Sequence, residues 1–135
     1  MLHREKTLLA VVDIQDALMP EPGDEVTRAF LSKSAKLIQC AQTLRIPLLV
    51  TEQNPGKLGG TNEGIARLLG DTQRIPKLEF GCMANDAFRT AFTALKRTQI
   101  LICGMETHIC VLQTALGALE AGYEVFIARD AVASM

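Results

Sequence analysis

The chain has 135 residues, 48% hydrophobic and 21% charged, which is enough apolar material for one core and too little length for two ordinary domains. Fourteen basic residues stand against fifteen acidic ones, a formal net charge of -1 with no Lys/Arg cluster, and this argues against nucleic acid or an anionic membrane as the main partner. The expected partner is a small molecule or another protein.

The opening "MLHREKTLLAVVDIQ" puts basic residues before an apolar run, but the run is short, ends in Asp13 and lacks a cleavage pattern, so it does not read as a signal peptide. Nothing else approaches membrane length. From Thr7 to Ile14 the chain is almost continuously apolar, as in a strand covered on both faces. After a break at "PEPGDE", Val26 to Arg45 carries Phe30, Ile38, Ala41 and Leu44 at helical spacing, with Lys33, Lys36 and Arg45 left for solvent. "IPLLVT" is a second strand ending at Thr51 and Glu52, and "EQNPGKLGGTNEG" reads as loop, placed to act as a lid. "RIPKLEF" is a short strand or extended segment. Phe88, Ala91, Phe92 and Leu95 mark another helix, and Gln99 to Gly104 another buried strand. Thr107 is positioned to cap a helix from His108 to Ala121, whose Ile109, Leu112, Ala115, Leu116 and Leu119 are expected to face the core. "YEVFIARDA" supplies a last strand. This alternation predicts an α/β fold: one domain over residues 1–135, with a doubly wound, mostly parallel sheet and helices on both faces.

In such sheets the ligand crevice lies at the carboxyl ends of the strands, where Asp13, Glu52, the Gly104 turn and Asp130 are expected. GxGxxG, GxxxxGK[ST] and GxSxG are all absent, so dinucleotide binding, P-loop chemistry and a serine elbow have little support. The cysteines are Cys40, Cys82, Cys103 and Cys110; the composition is that of a core-forming cytoplasmic protein with free thiols. No CxxC pair and only two histidines, His3 and His108, leave a zinc site poorly supported. Cys103 and Cys40 read as packing residues, and Cys82 as a loop residue that can approach the crevice.

Cys110 has two readings. In the first turn of a helix after a strand, the helix dipole lowers its thiol pKa and the local N–H groups can hold an oxyanion. Alternatively it is one small packing residue in the stripe Cys110, Thr114, Gly117 and Ala121. Asp13 is likewise either a general base or a strand-end cap, and Lys77 either an inward cation or a surface lysine. His108, two residues from Cys110 on a helix, points elsewhere.

Three segments carry a resemblance: "AVVDIQ", "PKLEFGCM" and "ILICGMETHICVLQTALGALEAGYEVFIARDAV". The sequence resembles the isochorismatase-like cysteine hydrolases, which include nicotinamidases, N-carbamoylsarcosine amidase and true isochorismatases. The resemblance implies a catalytic set of Asp13, Lys77 and Cys110, with Cys110 as nucleophile, Asp13 as proton acceptor and donor, and Lys77 keeping Asp13 ionised. It implies a cis peptide between Met105 and Glu106 and an oxyanion site at the N–H groups of Glu106 and Cys110. Gln15, Glu52, Gln53 and Cys82 are candidate substrate contacts, with bracing of the loop as the alternative for Glu52 and Gln53. The implied reaction is hydrolysis of an amide-type C–N bond of a small molecule through an acyl-cysteine, with no cofactor, in a cytoplasmic homo-oligomer. Because "TEQ" (Thr51 to Gln53) replaces the Asp-x-His pair of zinc-dependent nicotinamidases, no metal is expected. True isochorismatases lack the cysteine. A further helix, strand and closing helix usually follow the position of Met135, so the domain is expected to be truncated at its C-terminus. The alternatives are a non-catalytic scaffold or thiol redox sensor on the same fold, and an isochorismatase-type ether hydrolase.

Overall fold

The computed structural model describes residues 1–19, 21 and 23–134; Pro20 and Pro22 of the expected "PEPGDE" break lie outside them. Strand β1, Thr7–Val12, is buried at every position, which its unbroken apolar sequence requires. It stops two residues before the expected Ile14 because Asp13 turns into a left-handed conformation, φ 50°. Helix α1, Glu25–Thr43, starts where the Asp24 carboxylate accepts the Thr27 N–H. It ends before Leu44, which is 41% exposed rather than in the core. Strand β2, Leu48–Gln53, leads into a segment expected to be all loop. Instead it holds a single turn α2, Pro55–Leu58, and at its end begins a short helix α3, Glu63–Leu69, for which no element was expected, capped by the Asn62 side chain on the Ile65 N–H. Strand β3, Arg74–Lys77, and helix α4, Asp86–Ala94, follow. Strand β4 is Gln99–Met105 and strand β5 is Glu124–Ala133.

All paired strands are parallel, in the order β3-β2-β1-β4-β5. One core lies under α1 and α3, with Phe30, Ile38, Ile65 and Leu69 against Leu9, Val11 and Val50. The other holds Phe88 and Phe92 of α4 against Leu8, Ala10, Ile100 and Ile102. The chain runs from β1 outward to β3, then returns to place β4 on the other side of β1. That reversal makes the β1/β4 boundary the switch point where a crevice opens at the carboxyl ends.

The helix after β4 departs from expectation. It begins as a wide π turn, Thr107–Val111, with Glu106 rather than Thr107 in the N-cap position, and continues as α5, Leu112–Glu120. The Glu106 carbonyl accepts from both Ile109 N–H and Val111 N–H, each at 3.1 Å, the second a span of five residues. The extra residue rotates the helix face. Val111, Thr114, Ala115 and Ala118 are buried, whereas Leu112, Leu116 and Leu119, expected in the core, are 46%, 55% and 55% exposed. Asp130 is also displaced from expectation: it lies within β5, exposed, 3.8 Å from Lys33, and not at a strand end in the crevice. Among the described residues no helix is long and apolar enough to cross a membrane.

Candidate active site

The left-handed turn at Asp13 throws its carboxylate under the ends of β2 and β3. Its Oδ1 accepts the Thr51 hydroxyl at 2.8 Å and its Oδ2 accepts Lys77 Nζ at 2.8 Å. Both side chains of that ion pair are fully buried, so the pair depends on further hydrogen bonds for its solvation. Lys77 has them: its ammonium also donates to Gln53 Oε1 at 2.6 Å and to the carbonyls of Glu79 and Phe80 at 3.0 and 2.8 Å. Residues distant in sequence are thereby tied to one point.

Cys110 arrives from the opposite side of the switch point. Gly104 makes this approach possible, since a Cβ there would sit 1.9 Å from the Val12 carbonyl oxygen, and its φ of +123° favours glycine. The Met105–Glu106 peptide bond that follows is cis. Cys110 is 6% exposed and lies on the wall of a cavity of about 240 Å³ with Leu18, Gln53, Asn54, Lys57, Leu58, Phe80, Glu106 and Ile109. Its thiol lies close enough to Asp13 and Lys77 for the charges of both to act on it. Burial first, then the Asp13 charge, push the thiol up to about 12 against the opposing pull of Lys77. The sequence reading predicted a lowered value from the helix dipole. Desolvation and a neighbouring carboxylate outweigh a dipole whose first turn is irregular.

Of the four candidate substrate contacts, Gln53 reaches the cavity wall, though its amide is engaged at both ends, by Lys77 Nζ and by the Leu78 carbonyl. The other three stand behind it. Gln15 is fully buried and braces the end of β2, donating to the Gln53 and Gly59 carbonyls and accepting the Gln53 N–H. The Glu52 carboxylate holds the Thr61 N–H and hydroxyl at 2.6 and 2.8 Å. Cys82 is sealed in the core, where burial pushes its thiol up to about 11. Cys103 packs in the core as expected, but Cys40 is exposed rather than packed.

Sequence reasoning passed over Thr51. Its signal was a small polar residue at the end of a strand that must pair with β1 one residue before the acid. Thr51 and Gln53 bound the "TEQ" stretch on which the expectation of no metal rests. Their polar atoms are committed to Asp13 and Lys77, so they do not fit a metal. Among the described residues no three His, Cys, Asp or Glu side chains are grouped to hold one. A wider groove of about 610 Å³ between Met83, Arg89, Leu116 and Glu120 has no cysteine, serine, threonine or lysine among its lining residues.

Residues 7–135 match the family model of the isochorismatase domain. A secreted isochorismatase effector of Phytophthora sojae is 36% identical over 102 residues, which are 73% of this chain and 49% of the effector. The chain thus spans about half the length of that relative. Among solved structures, the MAR1 ribonuclease of Caenorhabditis elegans superposes with a TM-score of 0.85 at 32% identity, over 98% of this chain and 67% of its own. Nicotinamidase of Bacillus subtilis superposes with a TM-score of 0.84 over 96% of this chain and 87% of its own, at 18% identity, a likeness of fold.

Proposed function

The chain belongs to the isochorismatase family, and from that premise we propose that it is a cysteine-dependent hydrolase cleaving the C–N bond of a small amide through an acyl-cysteine intermediate. The observation that carries this reading is the meeting of Cys110, on the wall of a small cavity, with the buried Asp13–Lys77 ion pair. A thiol raised to about 12 rests protonated at neutral pH. The proton therefore leaves during attack: as Sγ bonds to the carbonyl carbon, Asp13 takes the thiol proton. The N–H groups of Glu106 and Cys110 receive the oxyanion. Collapse breaks the C–N bond, and Asp13 passes its proton to the leaving nitrogen. Water then attacks the thioester, giving one proton to Asp13, and the proton returns to Sγ as the acid departs. Lys77 holds the carboxylate in place and balances its charge throughout.

The cavity volume favours a small molecule, since drug-sized ligands occupy pockets of about 300 Å³ or more. With a net charge of -1 and no basic cluster, RNA is the less favoured substrate for this chain despite the nematode neighbour. A redox-sensor role also loses support, because sensor thiols are low in pKa and accessible. Self-association through the exposed leucines of α5, and a reducing, cytoplasmic setting for four free thiols, complete the reading. The test is ammonia release from a panel of small primary amides, with RNA as the contrasting substrate. Turnover is expected to vanish in Cys110→Ala and to fall by about 10²–10⁴ in Asp13→Asn. Turnover that survives Cys110→Ala would overturn the proposal.

A further inference from the structure

Two buried threonines flank the site, and each has its hydroxyl direction forced. Thr114 Oγ1 takes the Cys82 N–H at 3.0 Å and gives its proton to the Cys110 carbonyl at 2.6 Å. A carbonyl only accepts and an amide N–H only donates, so no other arrangement fits. Thr51 Oγ1 gives its proton to the Asp13 carboxylate at 2.8 Å and stands 3.8 Å from the Cys82 thiol, which donates to it. Thr114 and Cys82 are fully buried and Thr51 is 1% exposed. From the Cys110 carbonyl to the Asp13 carboxylate there runs an unbroken path: Thr114 hydroxyl, Cys82 backbone and thiol, Thr51 hydroxyl. The thiol pushed up to about 11 stays protonated and keeps its donor.

We propose that Thr51, backed by Cys82 and Thr114, is a positioning residue that fixes the carboxylate of Asp13 relative to Cys110, so that the second carboxylate oxygen is left to Lys77 and the nucleophile. The inference rests on the cysteine-hydrolase reading of the same site. Cys82 is thus part of the frame that carries the base. The titratable groups around Asp13 are Lys77, Cys110 and Cys82; neither threonine titrates, so a change at Thr51 alters the hydrogen bonding of Asp13 without removing a charge.

The test uses the full chain and steady-state ammonia release from the small primary amides of the panel. Asp13→Asn is expected to lose turnover; if it does not, the hydrolase reading fails, independently of Thr51. Given that loss, Thr51→Val is expected to lower kcat by about tenfold at unchanged KM, because the carboxylate that takes the thiol proton is no longer held in place. Thr51→Ser, which keeps the hydroxyl, should restore kcat. An unchanged kcat, or a loss that Thr51→Ser does not restore, overturns the proposal. If Thr51→Val fails to fold, Cys82→Ala is read in the same way: a lowered kcat at unchanged KM supports the proposal and an unchanged kcat overturns it.

Discussion

At the scale of single residues, the site works through opposed influences on one sulfur. The Asp13 charge raises the Cys110 thiol and Lys77 lowers it, on top of the larger effect of burial. The two substitutions should therefore move the alkaline titration of Cys110 in opposite directions. In Asp13→Asn the thiolate loses a repelling neighbour and forms at lower pH than about 12. In Lys77→Met it loses an attracting one and forms at higher pH. Site-resolved alkylation across the alkaline range reads both, with exposed Cys40 as an internal reference thiol. Equal titration of Cys110 in the two variants would mean that the ion pair does not reach the sulfur. Asp13, Lys77 and Cys110 were all legible as types in the right segments, but whether each was functional or structural was not. Nor was their convergence, which comes from the parallel register that sets Gln53 beside Lys77 and Val12 beside Thr51.

At the scale of elements, the position of Cys110 depends on how closely β4 can pass β1. Gly104 pairs with Val12 in the parallel register, and the register between β4 and β5 shifts between Ile102 and Gly104. A methyl at Gly104 would collide with rigid backbone atoms of Val12 at 1.9 and 2.7 Å. Gly104→Ala is expected to cost more than about 4 kcal/mol, since neither strand can yield without losing its ladder. Gly122→Ala is the matched control: its φ is also positive, +92°, but nothing lies within 4 Å of the added carbon, so only the backbone penalty of about 1–2 kcal/mol applies. Denaturant unfolding of the two variants separates contact from conformation, and equal losses would refute the close-approach argument. The strands and the long helices were legible because their patterns run for many residues. Helix α3 was not, because seven residues show one Ile65–Leu69 pair and a cap, too little for periodicity to register.

At the scale of the whole molecule, the rotated helix leaves a consequence on the surface. The sequence reading placed the core face of α5 along its leucines because they are its largest apolar residues. Ala115 is buried as expected, but with the wide π turn after Glu106 its inward partners are Val111, Thr114 and Ala118 in place of the leucines. Leu112, Leu116 and Leu119, spaced four and three residues apart, form one exposed stripe. Ile127 of β5, 45% exposed, pairs in register with Ile102 of the α4/α5 core and so faces the same side of the sheet. An exposed leucine stripe of this kind on a folded chain favours association. The triple variant Leu112→Gln, Leu116→Gln, Leu119→Gln removes the stripe without touching the buried face of α5. Its thermal midpoint is expected to stay near that of the parent, as exposed substitutions change stability by about 0.5 kcal/mol or less each. Its mass by analytical ultracentrifugation should fall toward that of one chain at concentrations where the parent is larger. A parent already sedimenting as a single chain, or a variant with undiminished mass, would show that the leucines of α5 do not join copies of this protein.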